Sequence, residues 1–156
     1  MNPVVSIIVV SYNTREMTLE CLESIRRETR TPFEVLFIDN DSDDGSLEAV
    51  RERFADDDRY VISDNATNLG FAAGNNEMGG LARGEFILLL NPDTVVLDGA
   101  VDRLVEFART RPDDGIWGGR TVFPDGTVNP TNCWGPFSLW ALFCQTFGLT
   151  SLFRRS

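Results

Sequence analysis

The chain has 156 residues, 42% of them hydrophobic and 24% charged, and a net charge of −10. That length suggests one domain, burying roughly 70% of its unfolded surface. The excess of carboxylates argues against a nucleic-acid partner and against charge-driven attachment to an anionic membrane, since both need a basic face.

There is no histidine. This removes Ser-His-Asp hydrolases, Cys-His proteases and His-ligated metals, and leaves acid–base chemistry to Asp and Glu. Three cysteines, Cys21, Cys133 and Cys144, form no CxxC pair. They suit neither a disulfide framework nor a zinc site, and fit a reducing cytoplasm. Met1-Asn2-Pro3 lacks the basic start of a signal peptide, and the apolar run at 4–10 is too short to span a bilayer.

Residues 4–10 are nearly continuous in β-branched side chains, the pattern of a strand buried on both faces of a parallel sheet. Ser11-Tyr12-Asn13-Thr14 breaks the run. Over 15–27, Met17, Leu19, Cys21, Leu22 and Ile25 recur at helical spacing. Thr31-Pro32 ends that helix, and 33–38 is a second strand. The polar loop 39–46 follows, with Ser46 as the expected N-cap of a helix carrying Ala49, Val50 and Phe54 inward.

Residues 60–63 form a short third strand. The Gly/Asn/Ala stretch 68–76 leads into a helix reaching about Ala82. Residues 85–90 read as a fourth strand, apolar on both faces. Residues 100–109 form an amphipathic helix with Val101, Leu104, Val105 and Ala108 inward, 116–123 a fifth strand, and Pro124-Asp125-Gly126-Thr127 a turn. Alternating strands and helices predict an α/β fold: a mostly parallel sheet with helices on both faces in three layers.

Ligands of such sheets bind outside the carboxyl ends of the strands. The informative residues are therefore Ser11, Tyr12 and Asn13, then Asp39 and Asn40, then Asn91-Pro92-Asp93, all on one edge by topology. Asp93, directly after a buried strand, can hold Mg²⁺ or Mn²⁺ while the cation's other positions take diphosphate oxygens. Equally, Pro-Asp is ordinary turn chemistry, and Asp93 alone does not decide between the two. Asn40 offers a donor and an acceptor, the complement of a pyrimidine imide edge.

Asp44 and Ser46 suit a helix cap. The acids of 39–44 make no EF-hand frame. Asn68, Gly70 and Asn75 open a helix whose small residues let backbone approach a ligand or pack closely on the sheet. The spacing is not G-x-G-x-x-G, so a dinucleotide fingerprint is not supported. The chain contains no lysine, which disfavours a phosphate-accepting receiver domain.

Four segments taken together resemble the inverting family 2 glycosyltransferases of GT-A fold. They are Val9-Val10-Ser11-Tyr12-Asn13, residues 38–46 (Ile-Asp-Asn-Asp-Ser-Asp-Asp-Gly-Ser), residues 68–76 (Asn-Leu-Gly-Phe-Ala-Ala-Gly-Asn-Asn) and residues 82–94, which end in Leu90-Asn91-Pro92-Asp93-Thr94. The resemblance covers most of 4–127, and the Asp-Asn-x-Ser and Asn-Pro-Asp-Thr variants look most like the rhamnosyltransferase-like branch.

It implies a donor such as dTDP-rhamnose or a UDP-sugar, and a polysaccharide or lipid-linked acceptor. Ser11, Tyr12 and Asn13 would line the base pocket, Asp39 and Asn40 would contact base and ribose, and Asp93 would be the metal ligand, with Asn68, Gly70, Asn75 and Asn91 in the same nucleotide site. Three departures stand out. Asn40 replaces a second Asp of many members, Pro92 replaces an acid, and Met78 replaces a Gly.

The family's catalytic base is a carboxylate of the second half. After Asp125 this chain has no Asp or Glu, so no catalytic residue is assigned within it. The chain reads as the nucleotide-binding part, 1–127, followed by an apolar segment, 128–156, leading towards an acceptor-binding half and inactive without it. Residues 133–153, rich in Trp, Phe and Leu, could alternatively serve a non-catalytic interaction module, docking a partner, the inner face of the membrane or a second copy.

Overall fold

A computed structural model describes residues 2–129. The chain divides into two compact units, Met1–Trp117 and Gly118–Ser156. The aromatic segment 133–153, with Cys133 and Cys144, lies outside the described residues.

The first unit is a four-stranded parallel sheet in the order β3-β2-β1-β4. β1 is Val5–Ser11, β2 Phe33–Asp39, β3 Tyr60–Asp64 and β4 Phe86–Leu89, alternating with helices α1 Arg15–Glu28, α2 Ser46–Phe54, α3 Phe71–Gly79 and α4 Ala100–Arg109. Every residue of β1 and β2 is buried, as continuous β-branched runs require when helices cover both faces.

The strand period of two divides the core. Val5, Ile7 and Val9 with Phe33, Val35 and Phe37 meet Leu22 and Ile25 of α1, Val50 and Phe54 of α2, and Val101 and Val105 of α4. Ile8, Val10, Leu36 and Ile38 meet Met78 of α3 on the other face. Gly74 explains how closely α3 lies on the sheet, since a Cβ there would sit 3.0 Å from Val10 Cγ1.

One polar cluster interrupts the core at the amino ends of the strands. Glu34 pairs in register with Ser6 and is 2% exposed. Its carboxylate accepts bonds from Ser6 Oγ (2.6 Å), the Arg83 amide (2.8 Å) and the Arg83 guanidinium (2.8 and 2.5 Å). Ser6 Oγ also accepts the Gly84 amide at 2.9 Å. Burial raises the Glu34 carboxyl's pKa, but the bonds from Ser6 and Arg83 outweigh it and hold the group below its ordinary value. The cluster fixes the turn that feeds β4 into the sheet. It also explains Gly84, where a Cβ would fall 2.6 Å from the Ser6 amide nitrogen.

Three expectations change. β4 is an edge strand paired only with β1 among the described residues, and Ile87 and Leu89 are half exposed rather than buried on both faces. The fifth strand does not form over 116–123. Ile116 is exposed, and the stretch holds only one antiparallel bridge, Val122 to Val128, around the expected turn. A strand needs a partner, and Gly118-Gly119 is a pair of residues depleted in strands. In that turn Gly126 takes φ +81°, and Asp125 accepts the Thr127 amide and hydroxyl. Finally, Ser46 is the first residue of α2 rather than its cap, Gly45 being the N-cap. Asp44 instead accepts the Ser46 amide and hydroxyl together with the Arg15 amide. These bonds outweigh the upward effect of burial and lower its pKa.

Candidate functional site

The parallel register places the predicted residues on one edge. Ser11 pairs with Asp39, and Asp39 with Asp64, so β1, β2 and β3 end at the same level. Leu89 of β4 pairs with Ile8, and the Leu90 amide still bonds to the Ile8 carbonyl at 3.0 Å. Asn91-Pro92-Asp93 therefore leaves the sheet beside the end of β1.

Asn40 is the hub of this edge. It is 2% exposed, and its amide N–H donates to the Ser11 carbonyl at 2.8 Å. Its Nδ2 donates to Asn68 Oδ1 at 2.8 Å, and its Oδ1 accepts Asn65 Nδ2 at 3.0 Å and the Leu69 amide at 3.1 Å. Asn68 Oδ1 also accepts the Gly70 amide at 2.9 Å, where φ of +81° calls for glycine. The side chain of Asn40 thereby binds the loop before α3 to the end of the sheet. Its polar atoms are spent on protein, which alters the expectation that it reads a base.

Asp39 is different. Oδ2 accepts the Ser42 amide at 2.8 Å, while Oδ1 is buried with no partner among the described residues. A buried acceptor without a donor costs about 1–3 kcal/mol, and native structures carry few of them. Oδ1 is thus an acceptor that no donor among the described residues satisfies. Tyr12, which follows the Ser11 that pairs with Asp39, is half exposed. Asn13, at φ 51°, ties the two loops together. Its amide donates to Ser42 Oγ, and its Oδ1 accepts the Asp43 amide, both at 2.9 Å. The Ser11 hydroxyl bonds to Thr14 and Thr18 at the start of α1, so its contribution to the edge is its carbonyl.

Asn75 stands apart from this network. Its Nδ2 donates to the Phe71 carbonyl within α3, and its Oδ1, like Asp39 Oδ1, is buried without a partner among the described residues.

Asp93 is exposed, and among the described residues its carboxylate makes no hydrogen bond or ion pair. The turn it occupies is closed by backbone, from the Thr94 amide to the Asn91 carbonyl at 3.1 Å, so the carboxylate is not consumed as a turn cap. Beneath it lies Cys21, whose thiol donates to the Asn91 carbonyl at 3.7 Å. Burial, with a smaller effect of the Asp93 charge, pushes this thiol up to about 12.

No cluster of three or more metal-ligating side chains exists among the described residues, so these residues supply no cage of their own. One free carboxylate at a strand end nevertheless suits Mg²⁺ or Mn²⁺ shared with phosphate oxygens, since such cations take one or two carboxylates and keep water and phosphate in the remaining positions.

Sequence reasoning missed Asn65, Ser42, Cys21 and Ser24. Asn65 was detectable, because it directly follows β3 as Asn40 follows β2. The others act from beside or beneath the edge, and no local pattern marks them. A cleft of about 390 Å³ lies elsewhere, between the end of α1 and the start of α4. It is lined by Arg27, Arg30 and Arg103 against Glu28, Asp98 and Asp102, and these charges cancel.

The family model for Glycosyl transferase family 2 matches residues 6–153. The chain is 29% identical over 119 residues to glycosyltransferase GlyG of Streptococcus pneumoniae, covering 76% of this chain and 39% of that protein. It is 36% identical over 129 residues to the O-antigen biosynthesis protein RfbC of Myxococcus xanthus, covering 81% and 10%. It is 28% identical over 142 residues to the N-acetylglucosaminyl-diphospho-decaprenol L-rhamnosyltransferase of Mycobacterium tuberculosis, covering 84% and 45%.

Among solved structures, S. aureus TarS in complex with UDP-GlcNAc superposes with a TM-score of 0.62 at 27% identity, over 69% of this chain and 32% of that one. The mannosyltransferase PcManGT of Pyrobaculum calidifontis, with GDP-Man and Mn²⁺, shares the fold with a TM-score of 0.64 at 24% identity, over 76% and 34%. The chain spans less than half the length of each of these proteins. With the sheet order, the helices on both faces and the matched family model in agreement, the chain belongs to glycosyl transferase family 2 and has the GT-A fold.

Proposed function

We propose that this chain is the donor-binding part of a glycosyltransferase, holding a nucleoside-diphosphate sugar at the carboxyl edge of the sheet. The observation that carries the reading is the pairing of two unsatisfied acids on that edge: Asp39, with one buried oxygen lacking a donor, and Asp93, exposed and unbonded. Asp39 Oδ1 accepts an N–H or O–H from the base or ribose. Tyr12, half exposed after the Ser11 that pairs with Asp39, offers a ring face to the base. Asp93, with Asn91 two residues before it, would hold a cation, Mg²⁺ or Mn²⁺, whose chemistry there would be to neutralise the charge of the diphosphate. The UDP-GlcNAc bound in the 27% identical TarS structure supports a nucleoside-diphosphate sugar as the donor.

The donor favoured by the Asn40 and Pro92 variants is dTDP-rhamnose, with UDP-sugars next, and an N-acetylglucosaminyl-diphospho-decaprenol L-rhamnosyltransferase is among the relatives. The acceptor is a saccharide, free or lipid-linked, met at the cytoplasmic face of the membrane. No helix of the described residues is long and apolar enough to cross a membrane. The segment 133–153 is the candidate for surface attachment or self-association. Inverting transfer also needs a carboxylate to take the acceptor's proton. The acids of the edge are committed to the donor and none follows Asp125, so the chain alone binds donor without transferring it.

Calorimetry with dTDP, UDP and GDP, each with and without Mn²⁺, tests the proposal. Binding of one nucleotide, strengthened by Mn²⁺ in the parent and not in Asp93→Ala, supports it. Absence of binding by all three sinks it.

A further inference from the structure

The loop that carries Asp93 is tethered at both ends to one face of α1. At its start, the Asn91 carbonyl accepts the Cys21 thiol at 3.7 Å. At its finish, the Val96 amide donates to Ser24 Oγ at 2.8 Å, and the same hydroxyl donates to the Cys21 carbonyl at 2.7 Å. Cys21 and Ser24 are three residues apart, hence neighbours on one helix face, and both are fully buried. A serine on the buried face of a helix needs an explanation, because its hydroxyl must be satisfied in an apolar setting. Here the O–H is satisfied by its own helix and the lone pair by the loop. The Val96 amide, in a residue 4% exposed, has no other acceptor among the described residues.

Between the tethers only one further bond among the described residues organises the loop, the turn from the Thr94 amide to the Asn91 carbonyl. Asp93 makes no bond of its own, so its position follows from the two ends. A metal-ligating carboxylate must be held to within about 0.5 Å of its productive place, and its supporting contacts decide that. We propose that Ser24, assisted by Cys21, is a positioning residue that presents the Asp93 carboxylate to the cation. This rests on Asp93 being the cation's ligand.

The test titrates Mn²⁺ into the chain saturated with UDP or dTDP, followed by electron paramagnetic resonance of free Mn²⁺. Parent, Ser24→Ala, Ser24→Thr, Cys21→Val and Asp93→Ala are compared. Nucleotide affinity in EDTA and the urea midpoint are measured alongside. Removing a partner that orients a ligand typically weakens metal binding 10–100-fold. Ser24→Ala is expected to raise the Mn²⁺ Kd about tenfold, with nucleotide affinity in EDTA within twofold of the parent, and Ser24→Thr to restore it.

A folded Ser24→Ala with parental Mn²⁺ affinity, beside an Asp93→Ala that has lost it, overturns the positioning role and leaves Asp93 as ligand. Parental affinity in Asp93→Ala overturns both. If Ser24→Ala does not fold, Cys21→Val decides: weaker Mn²⁺ binding in a folded protein supports the tether, and unchanged binding overturns it.

Discussion

Asn40 and Asn68, 28 residues apart, are joined side chain to side chain at 2.8 Å, Nδ2 of the first donating to Oδ1 of the second. This bond uses the property that separates Asn from Asp. An aspartate at 40 could still accept from Asn65 and the Leu69 amide, but it would face Asn68 Oδ1 with no proton. Asn40→Asp is therefore expected to cost about 1–3 kcal/mol of stability, the penalty for leaving buried polar groups unpaired. The urea midpoint at neutral pH would reveal it, and Asn68→Asp, exposed and keeping its acceptor, should cost less.

Asp39 predicts the opposite separation. Asp39→Asn retains an acceptor for the Ser42 amide but replaces the other acceptor with a donor. Stability should change by less than about 1 kcal/mol, since no existing bond of the protein is lost. Nucleotide affinity should fall tenfold or more, because a site built to accept a ligand's hydrogen bond rejects a mismatched partner strongly. Calorimetry and denaturation on the same preparation separate the two effects.

The Glu34 cluster makes stability depend on pH. Its carboxyl lies below the ordinary value when folded. Its contribution is then fully present above the unfolded value of about 4.3 and is lost as pH falls through the folded one. Glu34→Gln should lower stability at neutral pH by about 2 kcal/mol, the scale of hydrogen bonds to charged groups. It should also flatten the acid limb of a stability profile recorded from pH 7 to pH 3.

Two glycines should respond in opposite directions. Gly84→Ala would place a methyl 2.6 Å from the Ser6 amide nitrogen, and the backbone there cannot step aside. A loss of about 3 kcal/mol is expected. Gly79→Ala, at the end of α3, meets only Ile8 Cδ1 at 4.0 Å and should gain about 0.5 kcal/mol from reduced backbone entropy in the unfolded chain. Thermal melts of both variants check the contrast.

The strands at residues 5–11 and 33–39 were legible because a helix-covered parallel sheet demands unbroken apolar runs, and few other structures use them. α4 was legible because its apolar period is strong. β4 misled: the same apolar pattern appears in a strand whose outer neighbour is absent from the described residues, and periodicity carries no information about neighbours. The stretch 116–123 misled for the same reason. Its composition is strand-like, yet pairing is a property of two segments.

Sequence alone located the site's edge, since alternating strands and helices oblige every strand to point the same way and the residue after each to gather at one end. It could also name Asp39 and Asp93 as candidates. Which polar atoms are consumed by the protein and which are left unpaired among the described residues was decided by tertiary structure. Asn40 is spent on Asn65, Asn68 and Leu69, and Ser11 on Thr14 and Thr18, while one oxygen of Asp39 and both of Asp93 are left over. The physical reason is that hydrogen-bond satisfaction is settled between groups tens of residues apart. Asn40 meets Asn68, and Ser24 meets Val96, only after the sheet has brought its strand ends together.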